Sequence, residues 1–263
     1  MSFPPWVLVV AGHDSSGGAG VDADCEAIAE LGLDARVVVT ADTLQDEHAV
    51  HAVRPRAPRE WLARATELLD EAPGAVKLGL LPDGAAVRAA GELIARARAA
   101  STPVVLDPVL RSSSGHDFLG EAALRELANG PCRAASVITP NLFEAARLLD
   151  RPFELLARDV RERAAAANEL VRRGARAVVL KGGHGSEDPA IDVLARLGEP
   201  ALELAHPRVP GASIRGSGCR HASALAAALA LGEPLPRAAR RAAELVARRL
   251  AASGAPHPSE KPG

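Results

Sequence analysis

The feature that most constrains the fold of this chain is an alternation. Short, Val-rich apolar runs of strand length are followed by longer segments of helical spacing, from Trp6 nearly to the C-terminus. The runs are Trp6 to Ala11, Ala35 to Thr40, Ala75 to Leu80, Pro103 to Asp107, Ser136 to Thr139 and Ala177 to Leu180. Helical segments are expected at Val21 to Leu31, Pro58 to Glu71, Gly84 to Ala100, Glu121 to Ala128, Leu142 to Leu149 and Asp159 to Arg173. Runs that are apolar on both faces predict a parallel sheet covered by helices on each side. After Lys181 the pattern changes. Ala190 to Arg196 and Ala201 to Ala205, separated by Leu197 to Pro200, predict an antiparallel hairpin, and helices are expected at Gly218 to Ala230 and Arg237 to Ala252. No linker, repeat or low-complexity block divides the chain, so residues 1–252 are expected to form one domain. Residues 253–263, with Pro256, Pro258 and Pro262, are expected to fray.

Composition narrows the partners. A formal net charge of -2 supplies no bulk cationic field for nucleic acid or an anionic membrane. With no Tyr and 2% aromatic residues, stacking platforms for bases are scarce. Cys25, Cys132 and Cys219 are far apart and form no C-x-x-C pair, which argues against a disulfide framework and a structural zinc site. No stretch reaches the roughly 18 to 20 apolar residues of a membrane span, and a cytoplasmic protein is expected. Of the 31 basic residues only Lys77, Lys181 and Lys261 are lysines, so a lysine inside a motif asks for a reason.

Three sets of residues can carry chemistry. Ala11 to Gly20, between the first strand and the first helix, holds Gly17, Gly18 and Gly20, which permit close backbone approach to a ligand. A flexible turn capped by Ser or Asp is the plainer reading, and the segment matches neither G-x-G-x-x-G nor G-x-x-x-x-G-K-[ST]. Arg215 to His221 precedes an apolar helix. Gly216, Ser217 and Gly218 would present backbone N–H groups at its N-terminus, where the dipole favours an anion. The same dipole would favour a thiolate at Cys219, although a lone Cys is more often a small buried filler. Finally, Asp107, Asn141 with Glu144, and Lys181 each follow an expected strand, so a parallel sheet would bring them to one rim. There the carboxylates suit an oxygen-ligated Mg²⁺ and the set suits phosphoryl transfer. Taken singly, Asp107 could cap a turn before Pro108, and Glu144 could belong only to a helix's first turn.

In order and spacing, these segments resemble the hydroxymethylpyrimidine and hydroxymethylpyrimidine phosphate kinases of thiamine synthesis, within the ribokinase-like superfamily. The resemblance rests on Ala11 to Gly20 with Ala23-Asp24, Lys77 to Leu81, Val105 to Val109, Ile138 to Ala145, Lys181 to His184, and Gly216-Ser217-Gly218-Cys219. It implies a three-layer α/β/α sandwich that usually dimerises, and ATP-dependent phosphorylation of a pyrimidine alcohol, then of its monophosphate. By the same resemblance Gly12, Asp24 and Gln45 would hold the pyrimidine ring, with Leu80 and Val109 in its apolar wall. Asp107, Asn141 and Glu144 would organise Mg²⁺ and the ATP phosphates. Lys181 would stabilise the transferring phosphoryl group, and Gly216 to Gly218 would form the anion hole. Cys219 would face the substrate hydroxyl, as base or only to position it.

The chain also departs from the pattern. Ser213-Ile214-Arg215 stands where the family usually reads N-T-H, and Arg215 would replace lost phosphate donors with a charge-assisted contact. Arg220-His221 follows the Cys where small or apolar residues are usual, and Asp42 and Asp46 add acid near Gln45. Two alternatives therefore accompany the leading reading: a pyridoxal or pyridoxine kinase of the same fold, and a catalytically silent protein that binds a thiamine precursor.

Overall fold

The computed structural model describes residues 4–46 and 48–253. In chain order the elements begin with β1 (Trp6–Asp14), α1 (Gly20–Ala29), β2 (Asp34–Gln45), β3 (Val50–Pro55), α2 (Pro58–Asp70), β4 (Ala75–Leu78), α3 (Gly84–Ala99) and β5 (Val104–Leu106). They continue with α4 (Glu121–Asn129), α5 (Pro131–Ala134), β6 (Val137–Ile138), α6 (Leu142–Leu149), α7 (Phe153–Arg158), α8 (Val160–Arg172) and β7 (Ala177–Leu180). The last are β8 (Ala190–Arg196), β9 (Leu202–His206), α9 (Ser217–Ala230) and α10 (Leu235–Ser253).

One nine-stranded sheet runs through the molecule in the order β3-β2-β1-β4-β5-β6-β7-β8-β9. Pairing is parallel from β2 to β7 and antiparallel at both margins, where β3 joins β2 and the β8–β9 hairpin joins β7. The period-2 geometry of a strand sends alternate side chains to opposite faces. Leu8 and Val10 of β1 join one core with residues of α2, α3, α4, α6 and α8. Val7, Val9 and Ala11 join a second core with residues of α1, α9 and α10. This is the expected three-layer α/β/α sandwich. Among the described residues no helix is long and apolar enough to cross a membrane. The expected fraying concerns residues 253–263; Ser253 closes α10, and 254–263 lie outside the described residues.

The sheet order positions the site. From β1 the chain goes outward through β2 and β3, then returns to the opposite side of β1 as β4. Such a reversal leaves a crevice beyond the carboxyl ends of the two diverging strands, where ligands of open α/β sheets bind.

Candidate active site

Every parallel strand from β1 to β7 ends at this crevice, and so does the N-terminus of α9. The result is a cleft of about 700 Å³ lined by Gly12, Leu80, Val109, Asp107, Lys181 and the Gly216–Cys219 turn, among others. Gln45, at the end of β2, also reaches it and donates from Nε2 to Thr43 Oγ1 at 3.2 Å. The extra acid near Gln45 has local partners. Arg56 donates to both oxygens of Asp42 at 2.9 and 3.1 Å, and His51 lies 2.6 Å from Asp46.

Glycine is required where the walls meet. A Cβ on Gly12 would stand 2.7 Å from Leu80 Cδ2, so the side chain at the end of β4 presses on bare backbone. Gly216, the N-cap of α9, has φ 71°, and a Cβ there would come within 2.8 Å of the Gly18 carbonyl oxygen. The loop after β1 and the start of α9 thus touch backbone to backbone. No side chain caps α9, which leaves its first N–H groups to the cleft, a geometry that suits an anion.

Charge is concentrated beside that turn. Lys181 Nζ donates to Asp107 Oδ1 at 2.7 Å, and Thr139 Oγ1 donates to the same oxygen at 3.3 Å. Burial opposes the charge on Asp107, but Lys181 and Lys77 together hold its carboxyl below the usual range. Asn141 and Glu144 form a reciprocal capping box on α6: Asn141 Oδ1 accepts from Glu144 N at 2.9 Å, and Glu144 Oε2 from Asn141 N at 2.8 Å. Burial pushes the Glu144 carboxyl up to about 8, with Lys181 opposing and the charge of Asp107 adding. Two mutually repelling buried carboxylates, one sharing its charge with a lysine, are a donor set that a divalent cation relieves. Mg²⁺ characteristically takes one or two carboxylates and completes its shell with phosphate and water. The residues present fit that ion.

A second cavity, of about 370 Å³, joins the cleft at Asn141, Lys181 and Ser217 and runs between α9 and α10. Its walls are apolar at Ile214, Val246 and Leu250. At its polar end Asp192 has His206 Nε2 and His221 Nε2 each 3.2 Å from one of its oxygens, and Gly182 N donates to it at 2.7 Å. Against burial, the two histidines hold the Asp192 carboxyl well below the ordinary range.

Three expectations need correction. Asp24 does not reach the ring pocket: it is wholly buried, taking Lys77 Nζ on both carboxylate oxygens at 2.7 Å and Ser223 Oγ at 2.7 Å. Arg215 is only partly free for phosphate. It donates from Nη2 to Asp14 Oδ2 at 2.9 Å and from Nη1 to Ser16 Oγ at 2.9 Å. Cys219 is not a dipole-activated thiolate. Burial of the thiol, with the charges of Asp24 and Asp107, pushes it up to about 11 against the pull of Lys77 and the Gly20 N–H. The residue that sequence reasoning left without a role, Lys77, is the partner of Asp24. Its signal was its rarity in an Arg-rich chain. Ser223, the Asp192 cluster and the pairing of Asp14 with Arg215 gave no local signal, because those partners lie 10 or more residues apart in sequence and are joined only by the fold.

The fold and the cleft together define a small-molecule kinase of the ribokinase-like class. The chain belongs to the phosphomethylpyrimidine kinase family, whose model matches residues 14–262. It is 37% identical over 248 residues to the hydroxymethylpyrimidine/phosphomethylpyrimidine kinase of Streptomyces coelicolor, covering 92% of this chain and 87% of that one. Among solved structures it resembles the phosphomethylpyrimidine kinase of Clostridium difficile, with TM-score 0.77 and 26% identity over 94% of this chain and 99% of that one. It also resembles the pyridoxal kinase of Staphylococcus aureus in complex with AMP-PCP and pyridoxal, with TM-score 0.81 and 27% identity over 94% of this chain and 87% of that one.

Proposed function

We propose that this protein transfers the terminal phosphoryl group of ATP to 4-amino-5-hydroxymethyl-2-methylpyrimidine and to its monophosphate, in thiamine biosynthesis. The observation that carries the reading is the meeting, in one cleft, of a ring-sized wall, the Lys181–Asp107 pair and the uncapped N-terminus of α9. Gly12, Leu80 and Val109 form the apolar wall, and the Gln45 amide, one acceptor and two donors, faces the aminopyrimidine edge. The smaller cavity beside Lys181 takes the nucleobase against Ile214, Val246 and Leu250.

The backbone N–H groups of Gly216, Ser217 and Gly218 receive charge as it develops on the phosphoryl group, and Lys181 adds a mobile point charge beside them. Asp107 and Glu144, with Asn141 holding Glu144 in place, would bind Mg²⁺, which neutralises phosphate charge when bound. With its proton firmly held, Cys219 positions the substrate hydroxyl rather than drawing its proton as a free thiolate. The reading also takes a single domain over residues 1–252 and a cytoplasmic setting, as the sequence suggests, and the homodimer that the family resemblance implies.

A second reading, a pyridoxal kinase, is favoured by the likeness to the Staphylococcus aureus enzyme. A coupled assay of ADP release with the pyrimidine alcohol, its monophosphate and pyridoxal decides between them. The proposal expects kcat/KM highest for the pyrimidine acceptors; turnover of pyridoxal alone would replace it.

A further inference from the structure

Arg215, the residue before the N-cap of α9, reaches back across the cleft mouth to the loop after β1. Its guanidinium is held by Asp14 and Ser16, and the Asp14 carboxylate also takes the Ser16 N–H at 3.0 Å and hydroxyl at 2.8 Å on its other oxygen. Arg220 steadies this strap from behind by donating from Nη1 to the Arg215 carbonyl at 2.7 Å. Asp14 is buried, whereas the Arg215 side chain keeps 23% exposure and lines the cleft. The other cations lining the cleft belong to pairs of their own. Lys77 is fully buried on Asp24, Lys181 is bound to Asp107, and Arg111 is bound by Asp117 while stacking 4.0 Å over Phe143. A guanidinium has five N–H donors. Two of those on Arg215 are used by Asp14 and Ser16, and three are not taken up by those bonds.

The two acceptors make different demands there. When the alcohol reacts, its oxygen bonds to the terminal phosphorus, the bond from that phosphorus to the ADP oxygen breaks, and the hydroxyl proton must leave. When the monophosphate reacts, the bonds made and broken are of the same kind. Its attacking oxygen is already ionised above pH about 6, so no proton need leave. Instead two further oxygens, sharing negative charge, enter the cleft and need donors. Cys219 positions the alcohol, whose proton passes to an oxygen of the transferred phosphoryl group, and Arg215 meets the second demand. We infer that Arg215 is a specificity-determining residue for the second acceptor. Its guanidinium, aimed by Asp14 and Ser16, receives the non-reacting oxygens of the phosphate monoester. This inference rests on the kinase reading above and adds to it where the two phosphorylations diverge in the site.

The test compares kcat/KM for the alcohol and for its monophosphate in the wild-type chain, Arg215→Ala, Arg215→Lys and Cys219→Ala. Removing one charged donor pair is expected to cost the monophosphate about ten- to a hundredfold more than the alcohol. Arg215→Lys should recover part of that ratio, because it keeps the charge but not the planar fork. Cys219→Ala should move the ratio the opposite way. Because each readout is a ratio within one protein, a variant that folds poorly lowers both rates and leaves the ratio interpretable. If Arg215→Ala yields no folded protein, Arg215→Lys must by itself shift the ratio against the monophosphate. An unchanged ratio, or a greater loss on the alcohol, overturns the inference while leaving the kinase reading standing, and so does a wild-type enzyme that phosphorylates the alcohol alone. A wild-type chain that turns over neither acceptor overturns both.

Discussion

The molecule contains two buried lysine–aspartate pairs, Lys77 with Asp24 and Lys181 with Asp107, both at 2.7 Å. Both lysines lie where parallel strands end, and each ammonium presses on a glycine. A Cβ on Gly79 would stand 2.7 Å from Lys77 Nζ, and one on Gly218 would stand 3.1 Å from Lys181 Nζ. A chain that writes Arg almost everywhere has Lys at these two points, each a compact point charge set against a glycine. There the likeness ends. Burial pushes the Asp24 carboxyl up, while both its oxygens take Lys77 and a third contact comes from Ser223, so Asp24 lies buried behind Lys77, between α1, β4 and α9. Asp107 opens onto the cleft, feels both lysines and is held low. The same chemical pair is a fastener in one place and working charge in the other. What differs is access to the cleft and the number of cations that share the carboxylate.

The comparison can be broken by exchanging the outcomes. Lys77→Ala leaves a buried carboxylate unpaired and is expected to cost about 3 to 5 kcal/mol of stability in urea unfolding, whereas Lys77→Met with Asp24→Asn recovers most of that loss. Lys181→Ala should instead lower turnover by about a hundred- to a thousandfold, with a smaller loss of stability and little change in affinity for the pyrimidine, measured by calorimetry. If Lys181→Ala unfolds the protein and Lys77→Ala mainly slows it, the two roles are reversed.

Glu144 sharpens the contrast, because only the cleft pair has a third carboxyl beside it. Its folded value, pushed up to about 8, lies above an ordinary carboxyl near 4.5, so the folded state binds more protons between those limits. Stability from this group is therefore full below pH about 4.5 and falls as pH rises towards 8, with a slope of at most about 1.4 kcal/mol per pH unit. Glu144→Gln, which keeps an acceptor for the Asn141 N–H, should flatten that part of the pH–stability curve in metal-free buffer. An unchanged slope would remove Glu144 from the account. The smallest effect is expected from Ser223→Ala. It deletes one of three contacts to Asp24 and should cost about 1 to 3 kcal/mol without altering turnover at saturating substrate. A large fall in turnover would show that the fastener also tunes the site.

Much of the architecture was legible because strand and helix write different periods. The expected bounds for β7, β8 and α6 match those observed, and the other long elements differ by a few residues. Three elements were not legible. β3 is a mostly exposed edge strand with polar residues inside it, and α5 and α7 span 4 and 6 residues, too few for a helical period to show. At the site, sequence order brought Asp107, Asn141, Glu144, Lys181 and the Gly216–Cys219 turn to one rim correctly, since strand ends share a side in a parallel sheet. The misplaced residue, Asp24, is one whose role depends on partners from other elements, Lys77 and Ser223, and the hold of Asp14 on Arg215 was hidden for the same reason. The Cys219 expectation failed for a related reason. A helix dipole can be read from a Gly-Ser-Gly start, but burial and two neighbouring carboxylates cannot.

The bonds that close the cleft join residues at opposite ends of the chain. Asp14 meets Arg215, Gly18 meets Arg220 and Asp24 meets Ser223, across 199 to 202 positions. During synthesis β1, α1 and the glycine loop therefore emerge early and wait for α9, with the apolar strand Val7 to Val10 uncovered on the face that α9 later helps to cover. Contacts this distant in sequence form late and fold slowly. A chain stopped anywhere before residue 216 lacks the Gly216–Cys219 turn, so the wall that this turn gives the cleft is the last to be made.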